Sequence, residues 1–214
     1  MKDLLLLLKP LRKRNKLVLD KKVIVGLGSG RCGTVSLQML LNQHNADITH
    51  EYRQMPWKVD RDALQRNLNA FDKRYQPIVG DVSFWWLNYA DEVRRQCNAK
   101  FVCLKRDRKD TIESYLYRFR TEDYWVKKDL YESYPVFEGT SKAKALSIYY
   151  DLYYLIARKQ SENKDFRVYD MDSLLNKEET QRELFDWLEL ENHKTQPGIK
   201  FNSKETCDYF RAIA

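Results

Sequence analysis

The sequence is short of the residues that build the simplest functional sites. Its 214 residues include three His and four Cys. The cysteines stand at 32, 97, 103 and 207 with no CxxC pair, so neither a zinc site nor a disulfide framework is expected. Free thiols of this kind fit a reducing, cytoplasmic setting. Seven Gly and five Pro are too few for a fibrous or low-complexity chain. No apolar run approaches the ~20 residues that a membrane-spanning helix needs. Leu4 to Leu8 is an apolar run of five, too short for a secretory core, and no small-residue cleavage site follows it.

Positive charge is also scarce where a nucleic-acid partner would need it. The net charge is +7, but residues 1–22 carry eight Lys and Arg against two Asp, which is +6 of that total. The rest of the chain is near neutral, so no nucleic-acid partner is expected. What is abundant is aromatic: fourteen Tyr, nine Phe and five Trp. With 43% hydrophobic residues this predicts a packed core and excludes intrinsic disorder.

The first 20 residues predict a basic amphipathic leader helix, with Leu4, Leu7, Leu8 and Leu11 at helical spacing. Two readings stand side by side: a leader packed on the domain with its cations in solvent, or a peripheral membrane contact through residues 1–16. Residues 21–214 read as a single domain. Short β-branched runs at 23–26, 47–50, 77–82, 100–104 and 166–169 predict five strands. Helical patterns fall between them: Leu37 to His44, 60–74, 85–97, Ile112 to Phe119 and Leu146 to Ala157. A last helix is predicted after Asn176, with Asn176 as its cap and Glu179 three residues on. Residues 120–140 have no clean period and read as a long loop. Strands alternating with helices predict an α/β three-layer sandwich around a central, mainly parallel, five-stranded sheet.

The first strand runs into Gly26-Leu-Gly28-Ser-Gly30-Arg31-Cys32-Gly33-Thr34 and then a helix. A glycine loop between a buried strand and a helix is a phosphate cradle, because loop amides and the helix dipole converge on an anion. Gly28, Gly30 and Gly33 satisfy the dinucleotide fingerprint literally, and Glu51, eighteen residues past Gly33, has tolerable spacing for its ribose carboxylate. Arg31 and Thr34 do not suit that site. The nucleoside-triphosphate loop has Lys and Ser/Thr after its last glycine, and here Thr34 and Val35 stand there. The triphosphate-gripping Lys and the magnesium hydroxyl are therefore missing.

Arg31-Cys32-Gly33-Thr34-Val35-Ser36-Leu37 resembles the 5′-phosphosulfate loop of the sulfotransferases. A second element, Phe101 to Leu104 followed by Arg106 and, eight residues later, Ser114, resembles that family's 3′-phosphate element. Val168 to Leu175, followed by the helix ending Phe185-Asp-Trp-Leu188, resembles its last strand and helix. The resemblance covers about residues 22–190. It implies transfer of a sulfuryl group from 3′-phosphoadenosine 5′-phosphosulfate (PAPS), without a metal, to a hydroxyl or amine on a small-molecule or carbohydrate acceptor. The product would be adenosine 3′,5′-bisphosphate (PAP). Two rival functions are a P-loop small-molecule kinase and a catalytically inactive nucleotide-binding protein.

The resemblance also implies roles. Arg31 would stabilise charge on the leaving phosphosulfate oxygen. Gly30, Cys32, Gly33, Thr34, Val35 and Ser36 would cradle the 5′-phosphate through amides and hydroxyls, with Cys32 a backbone donor rather than a nucleophile. Val35 departs from members with a second Thr, and Ser36 is the substitute hydroxyl. Arg106 and Ser114 would hold the 3′-phosphate. Likeness to carbohydrate and tyrosyl members puts the general base at Glu51. His50 is the second candidate, because imidazole titrates near neutrality. Asp81 is the third, near where small-molecule members carry their His. The family's C-terminal Arg-Lys-Gly loop is missing, with Lys200 and Lys204 as its only replacements. The shortened form implies a compact, microbial member. Nine of the fourteen tyrosines fall within 115–154. They read either as core packing of a long helix or as the wall of an acceptor pocket under a 120–140 lid.

Overall fold

The computed structural model describes residues 19–122, 124–126 and 132–199. The leader helix, the membrane contact through residues 1–16, Lys200, Lys204 and Cys207 lie outside the described residues.

Five strands form one sheet: β1 (Lys22–Gly28), β2 (Ala46–His50), β3 (Ile78–Val82), β4 (Ala99–Lys105) and β5 (Phe166–Asp170). Their order is β2-β3-β1-β4-β5, and every pairing is parallel. The α/β sandwich expected from the sequence is present. Central strands buried on both faces need apolar residues at every position. β1 has them: Val23, Val25 and Leu27 enter one core, and Ile24 enters the other.

The helices divide between the two faces. α1 (Thr34–Leu41), α6 (Met171–Asn176) and α7 (Glu178–Leu188) supply Leu37, Leu40, Leu174 and Leu184 to the core on Ile24. α2 (Arg61–Asp72), a 3-10 helix over Phe84–Tyr89, α3 (Ala90–Gln96) and α5 (Lys142–Gln160) cover the other face. α4 (Arg108–Arg118) joins that side through Tyr115.

This division fixes where a ligand can sit. The chain leaves β1 for α1 on one face. It leaves the neighbouring β4 for α4 and α5 on the opposite face. Adjacent strands whose connections diverge open a crevice at their carboxyl ends, which is where ligands bind in such sheets. The glycine loop and the Arg106 element both emerge at that edge.

Three boundaries differ from the sequence reading. β1 continues to Gly28, so Gly26 and Gly28 are strand residues and the loop itself is Ser29–Gly33. An added Cβ at Gly26 would meet the Val82 side chain at 2.5 Å, which is why glycine is there. His44 is not on α1: the helix stops at Leu41, and His44 sits at φ 49 beyond it. Asn176 does not cap the last helix. It ends α6, its amide donating to the Asp172 carbonyl, and α7 starts after Lys177 with no side-chain cap. α6 was invisible because its six residues, Met-Asp-Ser-Leu-Leu-Asn, are too few to show a period; Asp170 starts it by accepting from the Ser173 amide at 2.8 Å.

The tightest backbone approach in the sheet gives a test. A Cβ on Gly80 of β3 would lie 1.8 Å from the Ile24 carbonyl oxygen on β1. No side-chain rearrangement relieves a clash with backbone. Gly80→Ala should therefore cost more than the ~3 kcal/mol upper range of ordinary overpacking, read by urea denaturation. A loss under about 1 kcal/mol would show that the β1–β3 spacing is looser than this.

Candidate active site

The loop after β1 turns by left-handed residues. Gly30 has φ 89, Arg31 φ 55 and Gly33 φ 82. A Cβ on Gly30 would stand 2.1 Å from the Tyr115 hydroxyl, so its glycine is required by both conformation and space. Arg31 holds a left-handed conformation without that freedom, a strain of about 1 kcal/mol that the surrounding contacts must offset. The loop ends at Gly33, which gives α1 no side-chain cap. An uncapped helix start with the hydroxyls of Thr34 and Ser36 in its first turn suits an anion.

The second element comes from β4. Arg106, half-buried, donates from Nη1 to the Arg31 carbonyl at 3.1 Å. Arg31 donates from Nε to the Ser114 hydroxyl on α4 at 3.1 Å. The three residues named from two separate motifs, 75 and 83 positions apart, are thus one hydrogen-bonded group. Arg106 also has Asp110 3.8 Å away, partly exposed and weak as a competitor for its charge. Arg31 reaches across to Ser114, so the loop after β1 is tied to α4.

Cys32 lies beneath the loop, with no exposed surface. Burial pushes its thiol up to about 11, against hydrogen bonds from the Gly30 backbone and from Tyr154 and Ser29, and the Arg106 charge. A thiol that stays protonated is inert as a nucleophile. An added Cβ at Gly28 would touch its Sγ at 2.3 Å, so this glycine makes room for the cysteine.

The base candidates cluster at the ends of β2 and β3. His50 Nε2 lies 3.1 Å from the Thr34 hydroxyl, which ties the end of β2 to the start of α1. Burial lowers its pKa against the opposing pull of Asp81, which favours the neutral ring. Glu51 follows in a left-handed conformation, φ 50, its amide donating to the Val82 carbonyl at 3.2 Å. Its side chain is exposed, with protein packed around its base. That desolvation, and then the charge of Asp81, raise its carboxyl above the usual range.

Asp81 is committed elsewhere. It is 1% exposed. One oxygen accepts from the Thr49 hydroxyl at 2.7 Å and the Tyr52 amide at 3.1 Å, and the other accepts from Trp86 Nε1 at 2.8 Å. Burial raises its pKa and these donors hold it down. Three donors leave little of the carboxylate for an acceptor's proton. The Tyr52 amide shows what it does instead: it fixes the turn on which Glu51 sits.

Five tyrosines that the sequence places in the packing have hydroxyls directed at this edge. Tyr115 and Tyr149 both donate to the Ser29 carbonyl, the latter at 2.9 Å. Tyr153 accepts from the Gly28 amide at 3.0 Å and donates to the Phe84 carbonyl at 3.2 Å. Tyr154 lies 3.3 Å from the Ser29 hydroxyl and donates to the Leu104 carbonyl at 2.8 Å. Tyr150 donates to the Arg106 carbonyl at 2.6 Å. The signal in the sequence was the spacing 149, 150, 153, 154, which puts all four on one helical face.

Trp85, Trp86, Trp125 and Tyr134 are buried. Tyr134 stacks on Phe84 with ring centres 4.4 Å apart. Among the described residues these aromatic side chains pack in the core under the sheet edge. A shallow pocket lined in part by Asp60, Arg61, Asn88 and Glu92 contains none of the candidate residues. Arg61 and Arg95 both pair with Glu92 there.

No protein-family model matches the chain, and no curated protein matches it in sequence. Solved structures do match. A mouse sulfotransferase, SULT7A1, complexed with PAP, superposes with a TM-score of 0.52 at 13% identity, over 91% of this chain. The chain spans only 64% of the length of that protein. A sulfotransferase from Alicyclobacillus acidocaldarius gives 0.51 at 16% identity, over 89% of this chain and 90% of its own. The sulfotransferase domain from the curacin biosynthetic pathway gives 0.50 at 13% identity, over 84% and 76%. At such identities the likeness is one of fold: the chain is built on the sulfotransferase fold.

Proposed function

We propose that the protein transfers a sulfuryl group from PAPS to a hydroxyl or amine on a small-molecule or carbohydrate acceptor, releasing PAP. The observation that carries this is the joining of two anion elements at one switch point. The uncapped start of α1 and the Arg106–Ser114 pair are linked through Arg31. PAPS is a polyanion with phosphate groups at two places on its ribose, so it needs two such elements at fixed separation. The PAP bound by the mouse structure of the same fold supports this ligand. A magnesium triphosphate would want the Lys and Ser/Thr that Thr34 and Val35 replace, so the kinase alternative has no observation in its favour.

In this reading the amides from Gly30 to Ser36 and the hydroxyls of Thr34 and Ser36 hold the 5′-phosphosulfate. Arg106 and Ser114 take the 3′-phosphate. The acceptor oxygen forms a bond to sulfur while the bond from sulfur to the phosphate oxygen breaks. Negative charge grows on that leaving oxygen, and Arg31, swinging from Ser114, neutralises it. Glu51 takes the acceptor's proton. His50 orients Thr34, and Asp81 holds the turn. No metal enters the reaction. The unpaired thiols of Cys32, Cys97 and Cys103 support a reducing, cytoplasmic setting, and among the described residues no helix is long and apolar enough to cross a membrane.

Thermal unfolding tests the donor. PAP should raise the melting temperature without magnesium, and ATP with magnesium should raise it less. Stabilisation by ATP–magnesium alone would replace the sulfotransferase reading with the kinase. Stabilisation by PAP, with no sulfate transferred to any phenol, sugar or amine in a broad screen, would point to the inactive nucleotide binder.

Arg106→Ala should weaken PAP binding roughly 10- to 150-fold, the size of a lost charge-assisted hydrogen bond of ~1.5–3 kcal/mol. Adenosine 5′-monophosphate, which lacks the 3′-phosphate, should bind nearly as before. Equal losses for both nucleotides would place Arg106 elsewhere.

With an acceptor in hand, Glu51→Gln should slow turnover about 10²–10⁴-fold with PAP affinity little changed. The raised Glu51 pKa gives the sign of the pH effect: a base works only when deprotonated, so the rate falls as pH drops through a value above the ordinary glutamate range. That acid limb should vanish in Glu51→Gln. If Glu51→Gln stays active while His50→Asn is dead, the base is His50.

A further inference from the structure

Resting on the PAPS reading, we propose that the tyrosine face of α5 is the device that sets the distance between the two anion elements, with Tyr150 and Tyr154 as positioning residues. A phenol both donates and accepts, so one hydroxyl can join two backbone segments. Tyr154 gives its single proton to the Leu104 carbonyl at the end of β4. The contact at 3.3 Å is then made by the Ser29 hydroxyl, whose proton Tyr154 shares with the Gly30 carbonyl, also at 3.3 Å. The result is a chain of hydrogen bonds from the loop after β1 to the end of β4. Four residues earlier, Tyr150 holds the Arg106 carbonyl.

Tyr153 makes the same kind of join between β1 and the segment after β3, from the Gly28 amide to the Phe84 carbonyl. Tyr149 holds the Ser29 carbonyl from below. All four lie at one edge of a 19-residue helix, at 0–8% exposure. The brace is itself fastened at the Arg106 side. Arg108 of α4 grips Asp151 of α5 with two contacts of 2.8 Å, which fastens the helix beside the Arg106 element.

The consequence is specific to a ligand with two anionic ends. A bivalent ligand gains from its second contact only if the second site is held at the right span. A loop and a strand end that move independently must be ordered on binding, and that cost falls on the bivalent ligand. A ligand with only the 5′-phosphate touches one element and does not sense the span. Tyr150→Phe and Tyr154→Phe keep the packed rings and delete only the hydroxyls.

The experiment measures binding of PAP and adenosine 5′-monophosphate by NMR titration, which also reads millimolar affinities. The proteins are the unsubstituted chain, the Tyr150→Phe/Tyr154→Phe double variant and Tyr89→Phe. Tyr89 is the control for lost stability. Its hydroxyl makes comparable backbone bonds, to Pro56 and from Asp60, in another part of the core. The double variant should lose about tenfold for PAP, the order expected when two hydrogen bonds are removed, and less than twofold for the monophosphate. Tyr89→Phe should leave the ratio of the two affinities unchanged while lowering the melting temperature. Equal losses for both nucleotides, or a ratio that moves as much in Tyr89→Phe, would overturn the brace and leave the sulfotransferase reading standing. Failure of the unsubstituted chain to bind PAP would overturn that reading and the brace together.

Discussion

The Ser29 carbonyl is the point on which the site depends. It is buried at the end of the central strand, where the ladder has stopped and the loop has not yet become a helix. A buried carbonyl without a partner costs roughly 1–3 kcal/mol. Here Tyr149 and Tyr115 both donate to it, one from α5 and one from α4. With that oxygen fixed, the chain can turn through left-handed residues at 30, 31 and 33 and still deliver α1 uncapped to the sheet edge. The same hydroxyls tie the loop to the core that the rest of the sheet builds, so loop geometry and fold stability are one problem. Burial raises the pKa of each of these phenols, which keeps them as neutral donors across any physiological pH.

The strands were legible because each is short, β-branched and buried on both faces, a pattern that tertiary context rarely overturns. The tight turn between β1 and α1 was legible because Gly30 and Gly33 supply left-handed positions between a buried strand and a helix. What was hidden has physical reasons. α6 is shorter than two turns, so hydrophobic spacing has nothing to repeat. Asn176 has a cap's chemistry, but its amide is a donor to Asp172 within the preceding helix, and a single sequence does not reveal which side of a boundary an Asn serves. The tyrosine face was correctly visible as buried. Where its hydroxyls point depends on three strand ends meeting over one helix, and that is long-range information.

The link from Arg31 to Ser114 also could not be read from spacing. Two motifs 83 residues apart are joined only because β1 and β4 are neighbours, although β2 and β3 come between them in the chain. This order, with the chain reversing direction across β1, brings two independent anion elements to one crevice. A sheet in sequential order would have put two strands between them, a separation of about 14 Å at the usual strand spacing. Electrostatics alone would not have chosen that span; strand order does.

The three base candidates behave as one charged group. Burial raises the Asp81 pKa while its three hydrogen bonds oppose the rise, and its charge works on both neighbours. On His50 it opposes the lowering by burial; on Glu51 it adds to the raising. Burial therefore favours the neutral imidazole, while Glu51 becomes a stronger base than an ordinary glutamate. The linkage has a definite sign. Carboxyls whose folded pKa is raised favour the folded state at low pH, and that advantage disappears as pH rises through the raised value. Once ionised, Glu51 and Asp81 thus weigh against the fold, as does the left-handed backbone of Glu51. A pair of carboxylates and a strained turn held together by the Tyr52 amide and Trp86 are poor design for stability alone. They make sense under the proposed transfer, in which a proton would be taken from an incoming hydroxyl.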